Sequence, residues 1–429
     1  MSQTVQQPAP ASEVVILPTT VVTSWKAPIA FAVFTLAALA LAVFAPREGV
    51  TTFRLSTQSD VIQLPELSAP SLATLWVIVA LLVLATAYSI SLVATKRRVP
   101  LWLIVVFAIL FMVGFLTWAA AGATIPVIGL LFGSLSLAVP LIFGSLSGVI
   151  GERVGVINIA IEGQLLAGAF TAAVVASVTG QPLLGLVAAM IAGMLVGMVL
   201  AVFAIKYFVD QVIVGVVLNV LVIGLTSFFF SQVLAPNAAV LNTPPRFDRL
   251  PIPVLSEIPI IGPVLFRQTL VVYLMYVAVA LVFFGLFYTR WGLRLRAVGE
   301  HPQAADTVGI NVNRTRFWNV ALAGSIAGLG GTFFTIGSGI AFNKEMTAGA
   351  GFIALAAVIF GQWDPIKATL AALLFGFASN LQNTLSVIGS PVPSEFMLML
   401  PYVVTIFAVA GLVGKVRGPA AAGKPYIKS

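Results

Sequence analysis

The stretch "GVINIAIEGQLLAGAF", residues 155–170, places three polar side chains among apolar ones: Asn158, Glu162 and Gln164. A carboxylate at the centre of a membrane helix costs roughly 2.5–3.5 kcal/mol on insertion scales. It therefore needs a water-lined cavity, a hydrogen-bonding partner or a helix N-terminus beside it. Two interpretations stay open: Glu162 lines the path of a polar solute, or it is a structural carboxylate that binds an adjacent helix or loop.

The geometry of this stretch depends on whether its helix is continuous. On a continuous helix, Asn158 and Glu162 are four residues apart and share one face. Gly155 and Gly163 flank them, and glycine makes a break in a helix easy. A break would bring free backbone N–H groups to the carboxylate, as the discontinuous helices of transporters do.

Amides in two later apolar segments extend this set of polar groups. An amide hydrogen bond between membrane helices contributes only about 0.6 kcal/mol, so each amide alone indicates a structural role. Together they provide polar groups from three helices, which is what a cavity for a polar, uncharged solute requires. The residues predicted to line a translocation pathway are Asn158, Glu162, Gln164, Gln211, Asn219, Asn380 and Asn383.

The composition indicates a membrane protein. Of the 429 residues, 60% are hydrophobic and 8% are charged, whereas soluble proteins average about 45–50% and about 25%. So much apolar surface requires lipid as the main solvent. The chain has no cysteine, and a single histidine, His301, excludes a His-pair metal motif, so we expect no metal or cofactor to be bound by this chain.

Twelve apolar segments are candidates for membrane spans, since a span needs about 20 residues. The tenth is short, which predicts a half-helix or a re-entrant piece. The fourth and fifth are separated only by "GERVGVIN", which indicates that one of them is broken. The segments are residues 27–45, 72–95, 101–120, 129–150, 157–178, 183–205, 212–234, 269–289, 317–340, 350–362, 367–386 and 396–414.

The net charge of +8 does not indicate a nucleic-acid partner, because basic residues in a membrane protein mostly report its orientation. With a cytoplasmic N-terminus and alternating spans, sixteen of the 22 Lys and Arg residues fall inside and six outside. This bias predicts that both termini are cytoplasmic. The predicted fold is an all-α, polytopic helical membrane protein with about 12 spans, in a range of 10–12, including broken or re-entrant helices.

Several pairs of glycines have G-x-x-x-G spacing. Four residues bring both glycines of a pair to one helix face, so that neighbouring backbones can approach closely. We therefore predict helix packing, not ligand binding, at Gly144 and Gly148, Gly193 and Gly197, and Gly324 and Gly328.

Three ordered motifs resemble the permeases of ABC importers in the ribose and branched-chain amino acid superfamily, and its nucleoside and simple-sugar subgroup in particular. They are "GERVGVINIAIEGQLLAGAF" at 151–170, "LRAVGEHPQAADTVGINVNR" at 295–314 and "GAGFIALAAVIFGQWDPIKATLAALLFG" at 349–376. The second resembles the family's cytoplasmic coupling loop, and we call residues 290–316 the coupling loop. A solvated amphipathic loop is the alternative interpretation of that segment. In the third motif, Ile366 stands where the family has glycine.

The resemblance implies partners and a location. A permease of this kind works with two ATPase subunits, a second and different permease, and an extracellular solute-binding lipoprotein, within the lipid of a bacterial cytoplasmic (inner) membrane. ATP and Mg²⁺ would bind the ATPase, because this chain lacks the G-x-x-x-x-G-K-[ST] motif that cradles phosphates. The residues implied to form the ATPase dock are Arg294, Arg296, Gly299, Glu300, Ala304, Ala305, Asp306 and Gly309.

The resemblance covers about residues 125–414 and divides the chain into four parts. Residues 1–26 are predicted to form a cytoplasmic tail, and residues 27–124 an N-terminal extension with three spans. Residues 125–414 would form the permease transmembrane domain, and residues 415–429 a basic cytoplasmic tail.

The implied function is transport of a polar, uncharged solute by alternating access driven by a separate ATPase, so the chain itself is not expected to be an enzyme. Nucleosides are the preferred solute, and simple sugars are the alternative. An ion-coupled secondary transporter would also have many spans and a mid-membrane carboxylate, but it needs no ATPase dock. An intramembrane enzyme is disfavoured, because H-E-x-x-H, G-x-S-x-G and paired intramembrane aspartates are missing from the sequence.

Overall fold

The computed structural model describes residues 24–393, 395–396, 399 and 418–428. The helices are α1 (Lys26–Phe44), α2 (Ser71–Ala94), α3 (Leu101–Ala119), α4 (Val127–Arg153), α5 (Ile161–Thr179), α6 (Pro182–Ala201), α7 (Gln211–Phe229), α8 (Ala238–Leu241), α9 (Ile261–Leu265), α10 (Leu270–Tyr288), α11 (Arg290–Glu300), α12 (Pro302–Thr307), α13 (Val312–Gly331), α14 (Ala350–Phe360) and α15 (Pro365–Ile388). The strands are β1 (Val50–Arg54), β2 (Leu67–Pro70), β3 (Thr124–Pro126), β4 (Arg249–Pro251) and β5 (Arg267–Thr269).

Within the described residues, ten helices are long and apolar enough to cross a membrane, and each coincides with a predicted span. The tenth predicted span contains only α14, whose 11 residues extend about 16 Å, roughly half of the hydrocarbon core. The prediction that this element is too short to be a full span, and is a half-helix or a re-entrant piece, is therefore confirmed. The twelfth predicted span, residues 396–414, lies outside the described residues except for Phe396 and Met399. Residues 1–23, 415–417 and 429 of the predicted tails also lie outside them.

The fourth and fifth predicted spans correspond to α4 and α5, and residues 154–160, which connect these two helices, are not helical. Gly155 has a φ of +96°, a left-handed conformation that glycine adopts without a steric penalty. The seven residues between α4 and α5 reverse the direction of the chain, and a straight helix could not do this. Asn158 is therefore not on the helix that carries Glu162, and the expectation that the two share a helix face is wrong.

Acidic side chains fix the starts of two spans. The Asp210 carboxylate accepts hydrogen bonds from two backbone N–H groups in the first turn of α7, and Asp364 does the same for α15. Each cap satisfies donors that a helix start otherwise leaves free and contributes about 1 kcal/mol.

The described residues up to Gly49, together with Pro70–Trp118, form one compact unit of three apolar helices, α1, α2 and α3. Aromatic stacking joins α1 to α3, with the ring centroids of Phe31 and Phe107 3.9 Å apart. The hydroxyls of Thr35 and Thr86 lie 2.9 Å apart and join α1 to α2. Polar groups are thus satisfied inside a unit whose outer surface is almost wholly apolar, as lipid requires.

The described residues within 50–69 and 119–428 form the second unit, which contains the remaining helices and two small sheets. In one sheet β1 pairs in parallel with β3, and β2 lies on the other side of β1. In the other, β4 pairs antiparallel with β5. β3 leads directly into α4, and β5 leads directly into α10. Each sheet therefore lies at the N-terminal end of a span.

The glycine pairs of the second unit lie where helices approach most closely. A Cβ at Gly193 or Gly197 of α6 would overlap backbone atoms of α13 around Gly324, and a Cβ at Gly328 would overlap Ala189 of α6. A Cβ at Gly144 or Gly148 of α4 would overlap the side chain of Ala354 or Val358, respectively, on α14. The half-helix α14 is therefore seated directly on the backbone of α4.

Candidate functional site

Glu162 lies in the first turn of α5 and is 4% exposed. One carboxylate oxygen accepts hydrogen bonds from the Thr347 hydroxyl at 2.6 Å and the Gly349 N–H at 2.9 Å. The other accepts the Gly351 N–H at 2.6 Å. Gly349 and Gly351 flank the start of α14, where the helix dipole also favours a negative charge. This geometry favours the structural interpretation, in which Glu162 holds the N-terminus of the half-helix.

Asn158 and Gln164 form a reciprocal pair, and neither side chain is exposed. The Asn158 amide nitrogen donates to the Gln164 oxygen at 3.0 Å, and the Gln164 amide nitrogen donates to the Asn158 oxygen at 3.2 Å. Asn158 also donates to the Ser147 hydroxyl on α4 at 3.1 Å. The pair therefore fastens the non-helical residues 154–160 to both helices that they connect.

Two amides of α7 bind the backbone of the same break. Gln211 accepts the Ile157 N–H at 2.7 Å. Asn219 accepts the Gly163 N–H at 2.8 Å and donates to the Ile159 carbonyl at 2.9 Å. Non-helical backbone within a membrane must find such partners, because lipid offers none. These two amides replace hydrogen bonds that a continuous helix would have made with itself.

Asn380 and Asn383 lie elsewhere, on α15. The Asn380 amide nitrogen donates to the Leu130 carbonyl at 2.7 Å. Both asparagines line a cavity of about 470 Å³. Leu130 and Ser147 are 17 residues apart on α4, which places the two groups of polar residues about 25 Å from each other. The structure thus brings together five of the seven predicted pathway residues and separates the other two, and a solute-contacting role remains a prediction for all seven.

The coupling loop folds into α11, α12, the turn at residues 308–311 and the first residues of α13. Leu295, Val298 and Ala305 are buried and anchor it, whereas the apolar side chains of Leu293 and Val308 are 62% and 75% exposed. Of the residues predicted to form the dock, Arg294, Glu300, Ala304 and Gly309 are exposed, Arg296 and Asp306 are half-buried, and Gly299 and Ala305 are buried.

Two of these residues attach the coupling loop to the rest of the unit. The Arg296 guanidinium lies over the Phe287 ring, 5.3 Å from its centroid, so it binds α10 instead of pointing outward. Gly299 lies against the end of α4, where a Cβ would overlap the carbonyl oxygen of Arg153. Arg153 in turn donates to the Trp363 carbonyl at 3.0 Å. The coupling loop is thus joined to α4, α10 and the turn between α14 and α15.

The segment "GPAAAGKPYIK", residues 418–428, also packs on the coupling loop, a contact that the sequence alone does not predict. The Ala421 N–H donates to the Gly299 carbonyl at 2.9 Å, and the Ala420 N–H donates to the Glu300 carboxylate at 3.2 Å. The fully buried Arg316 donates to the Lys424 carbonyl at 2.9 Å. A tyrosine in a segment rich in proline and glycine is the one local signal of packing here.

That tyrosine, Tyr426, is 6% exposed and belongs to the core of the unit. It lies beside Asp306 of α12. Burial, and then the neighbouring Asp306 carboxylate, raise the pKa of Tyr426 above its usual value. Tyr426 therefore stays neutral and connects the C-terminal segment to the predicted ATPase dock.

The sequence of the second unit matches one known family over most of its length. The family, described as branched-chain amino acid transport system / permease component, matches residues 130–409. The chain belongs to this permease family. The match begins three residues into α4, so α1, α2 and α3 lie outside it.

Relatives of this permease carry names from nucleoside and sugar transport. It is 43% identical to the guanosine ABC transporter permease protein NupQ of Bacillus subtilis, over 69% of this chain and 95% of NupQ. It is 40% identical to the nucleoside ABC transporter permease protein NupC of Lactococcus lactis, over the same two shares. A candidate glucose ABC transporter permease protein of Haloferax volcanii, TsgC13, is 36% identical over 59% of this chain and 77% of TsgC13. No solved structure matches the chain.

The buried Tyr426 provides a test of the C-terminal contact with the coupling loop. We expect Tyr426→Ala to destabilise the permease by about 3 kcal/mol, because it removes a large buried side chain from the core of the unit. The neighbouring Ile427 is 71% exposed, so Ile427→Ala is the matched control and should change little. The melting temperatures of the purified variants check this, and equal values for both would show that the segment does not hold the coupling loop.

Proposed function

We propose that the chain is a transmembrane subunit of an ATP-binding-cassette importer that moves nucleosides. The match to NupQ carries this proposal, because it extends over 95% of a guanosine permease at 43% identity. The fold agrees with it, since the polar loop 290–316 presents exposed side chains while its buried residues are joined to the spans. A permease that is driven from outside requires this arrangement.

The proposal includes the partners and the orientation. Two ATPase subunits, which would bind ATP and Mg²⁺, dock on the coupling loop at the cytoplasmic face. A second, different permease completes the pathway, and an extracellular lipoprotein delivers the solute. The charge bias of the sequence supports cytoplasmic termini, and the whole would lie in a bacterial inner membrane.

The contacts of the coupling loop support a mechanical role for it. When ATP closes the ATPase dimer, α11 and α12 move with the dimer. Because Gly299 lies on the end of α4 and Arg296 on α10, the movement passes to two spans at once. The spans then change between inward-open and outward-open arrangements. The chain itself binds no nucleotide and catalyses no reaction in this scheme.

The similarity to TsgC13 favours simple sugars as the second candidate solute. An uptake assay distinguishes nucleosides from simple sugars as the solute. It uses cells that lack their own nucleoside transporters and that express the complete importer. We expect radiolabelled guanosine to enter, and excess unlabelled nucleoside, but not glucose or ribose, to compete. Competition by glucose alone would assign the importer to sugars, and uptake without the ATPase subunits would indicate an ion-coupled carrier.

Gly309 offers a test of the coupling loop. Its φ of +85° lies in the left-handed region, and a side chain there meets no atoms but strains the backbone. For Gly309→Leu we expect a cost of roughly 1–2 kcal/mol and a several-fold loss of uptake, with ATP hydrolysis continuing. Asparagine tolerates this conformation better, so Gly309→Asn should retain more uptake. Equal uptake by the two variants would mean that the turn is not needed for coupling.

A further inference from the structure

A cavity of about 590 Å³ lies at the end of the second unit opposite the coupling loop. Its wall combines the first turns of α4, the β4–β5 hairpin and the segment that follows α13. The length of α13, about 30 Å, separates it from the coupling loop. We call it the outer cavity. Its volume falls within the range of about 300–1,000 Å³ that is typical of small-molecule sites.

One wall of the outer cavity offers flat surfaces. The Arg249 guanidinium carbon lies 4.6 Å from the centroid of the Phe132 ring, and Phe333 also lines the space. Aromatic rings and arginine planes are the surfaces on which proteins stack nucleobases, and the interaction is favourable for every base. This wall therefore suits the planar heteroaromatic half of a nucleoside better than it suits a small ion.

The opposite strand of the hairpin offers an unused hydrogen-bonding group. Thr269 stands directly across from Arg249 in the β4–β5 register. It is 9% exposed, and its hydroxyl has no hydrogen-bond partner in the part of the chain that the structure describes. Buried polar groups are almost always hydrogen-bonded, and Thr269 lines the cavity, so a rotation of its side chain toward a bound solute would give this hydroxyl a partner. The adjacent Gln268 is fixed by its bond to the Val264 carbonyl.

Two guanidinium groups, those of Arg246 and Arg249, line the outer cavity together with the carboxylate of Asp248. In the described ranges, neither Arg246 nor Arg249 forms an ion pair. The loop that carries them is held to the segment after α13 by a 3.0 Å bond from the Phe247 N–H to the Ile336 carbonyl. Arginine N–H groups match the oxygen and ring-nitrogen acceptors on the edge of a base, so the two donors suit a base that enters the cavity.

We propose that the outer cavity is where the permease first binds the nucleoside, with the base against Phe132 and Arg249 and a polar group of the solute bonded to the Thr269 hydroxyl. This inference rests on the proposed function and adds a site to it. None of the polar residues predicted from the sequence lines this cavity.

Paired substitutions in the complete importer test the site. Phe132→Leu keeps the apolar bulk but removes the ring, whereas Phe132→Tyr keeps the ring. Thr269→Val removes the hydroxyl, whereas Thr269→Ser keeps it. Phe284→Leu on α10 is the control, because Phe284 is exposed on the outside of the fold. Initial rates of radiolabelled guanosine uptake at several concentrations give KM and the maximal rate, with the amount of chain in the membrane measured for each variant.

We expect Phe132→Leu to raise KM about 5- to 100-fold, the range that loss of one base-stacking ring produces. Thr269→Val should raise KM about fivefold, as loss of one hydrogen bond does. The KM of the tyrosine, serine and control variants should stay within about twofold of the wild-type KM. Maximal rates should change little in all variants, because the substitutions weaken binding of the solute without affecting the later transport steps.

Unchanged KM for both Phe132→Leu and Thr269→Val, in an importer that takes up guanosine, would overturn the site while leaving the proposed function intact. A wild type that takes up no nucleoside would instead overturn the proposed function. If Phe132→Leu does not reach the membrane, the valine and serine variants of Thr269 decide alone. Equal KM values for those two would also reject the site.

Discussion

Replacing Glu162 with alanine should reduce uptake at least about tenfold and lower the melting temperature of the permease. The substitution leaves two backbone N–H groups and the Thr347 hydroxyl without their acceptor. Each unsatisfied buried donor costs about 1–3 kcal/mol, and the site admits little water because Glu162 is 4% exposed. The start of α14 would then separate from α5.

Glu162→Gln distinguishes the charge from the shape of this side chain. The amide keeps one acceptor oxygen but presents an N–H₂ group to at least one of the three donors. We therefore expect a stability between those of the wild type and the alanine variant. Glu66 provides the matched control, because its ion pair is to Arg54 and both side chains are about half exposed. Exposed ion pairs contribute about 0–1 kcal/mol, so Glu66→Ala should retain full uptake.

Kinetics decide between the structural and the solute-contacting roles of Glu162. A structural carboxylate predicts that stability and the amount of folded chain fall together, whichever solute is measured. A solute contact predicts an altered KM in a chain that melts at the wild-type temperature. The second pattern in Glu162→Gln would refute the anchoring role and restore Glu162 to the pathway.

The spans could be predicted from the sequence because lipid imposes one simple requirement, a long apolar run. That rule also identified α14, since 11 apolar residues are too few to cross a bilayer. The rule for residues four apart failed at Asn158 because it assumes a helix that already exists. The turn after α4 begins with a left-handed Gly155, and no property of residues 157–160 alone shows that the helix starts after them.

Partners that are distant in sequence could not be predicted. Gln211 and Asn219 were identified as unusual, but their role as hydrogen-bonding partners for the backbone around residues 157–163 depends on how α7 packs against α5. Likewise, the outer cavity combines residues from three separated segments, each of which is an ordinary loop or helix end when taken alone. The pattern of a single sequence reports local periodicity and the free-energy cost of a buried polar residue. The partners of Gln211 and Asn219 and the outer cavity depend instead on how the helices pack.

Gly299→Ala should separate ATP hydrolysis from uptake more completely than any exposed change in the coupling loop. The added methyl group would overlap the Arg153 carbonyl oxygen, which belongs to a helix backbone and cannot rotate away. Overpacking of this kind costs about 1–3 kcal/mol. The end of α11 would move away from α4, and the 2.9 Å bond from the Ala421 N–H to the Gly299 carbonyl would break with it.

The expected result is a fall in uptake of about tenfold or more, in line with that cost, with the chain still inserted in the membrane and ATP still hydrolysed. Gly224→Ala is the matched control: Gly224 is a helical glycine whose added Cβ would meet no atoms within 4 Å. It should preserve uptake and stabilise α7 slightly, because alanine favours helix over glycine.

Hydrolysis and uptake must be measured in the same reconstituted importer, since only their ratio reports coupling. If Gly299→Ala lowers both equally, the variant has lost the ATPase dock itself, and the contact with α4 is not the transmitting element. If it lowers neither, α11 can move without α4, and force must reach the spans through Arg296 and α10 alone. Only a fall in uptake with hydrolysis maintained supports the view that α11 moves α4 by direct backbone contact.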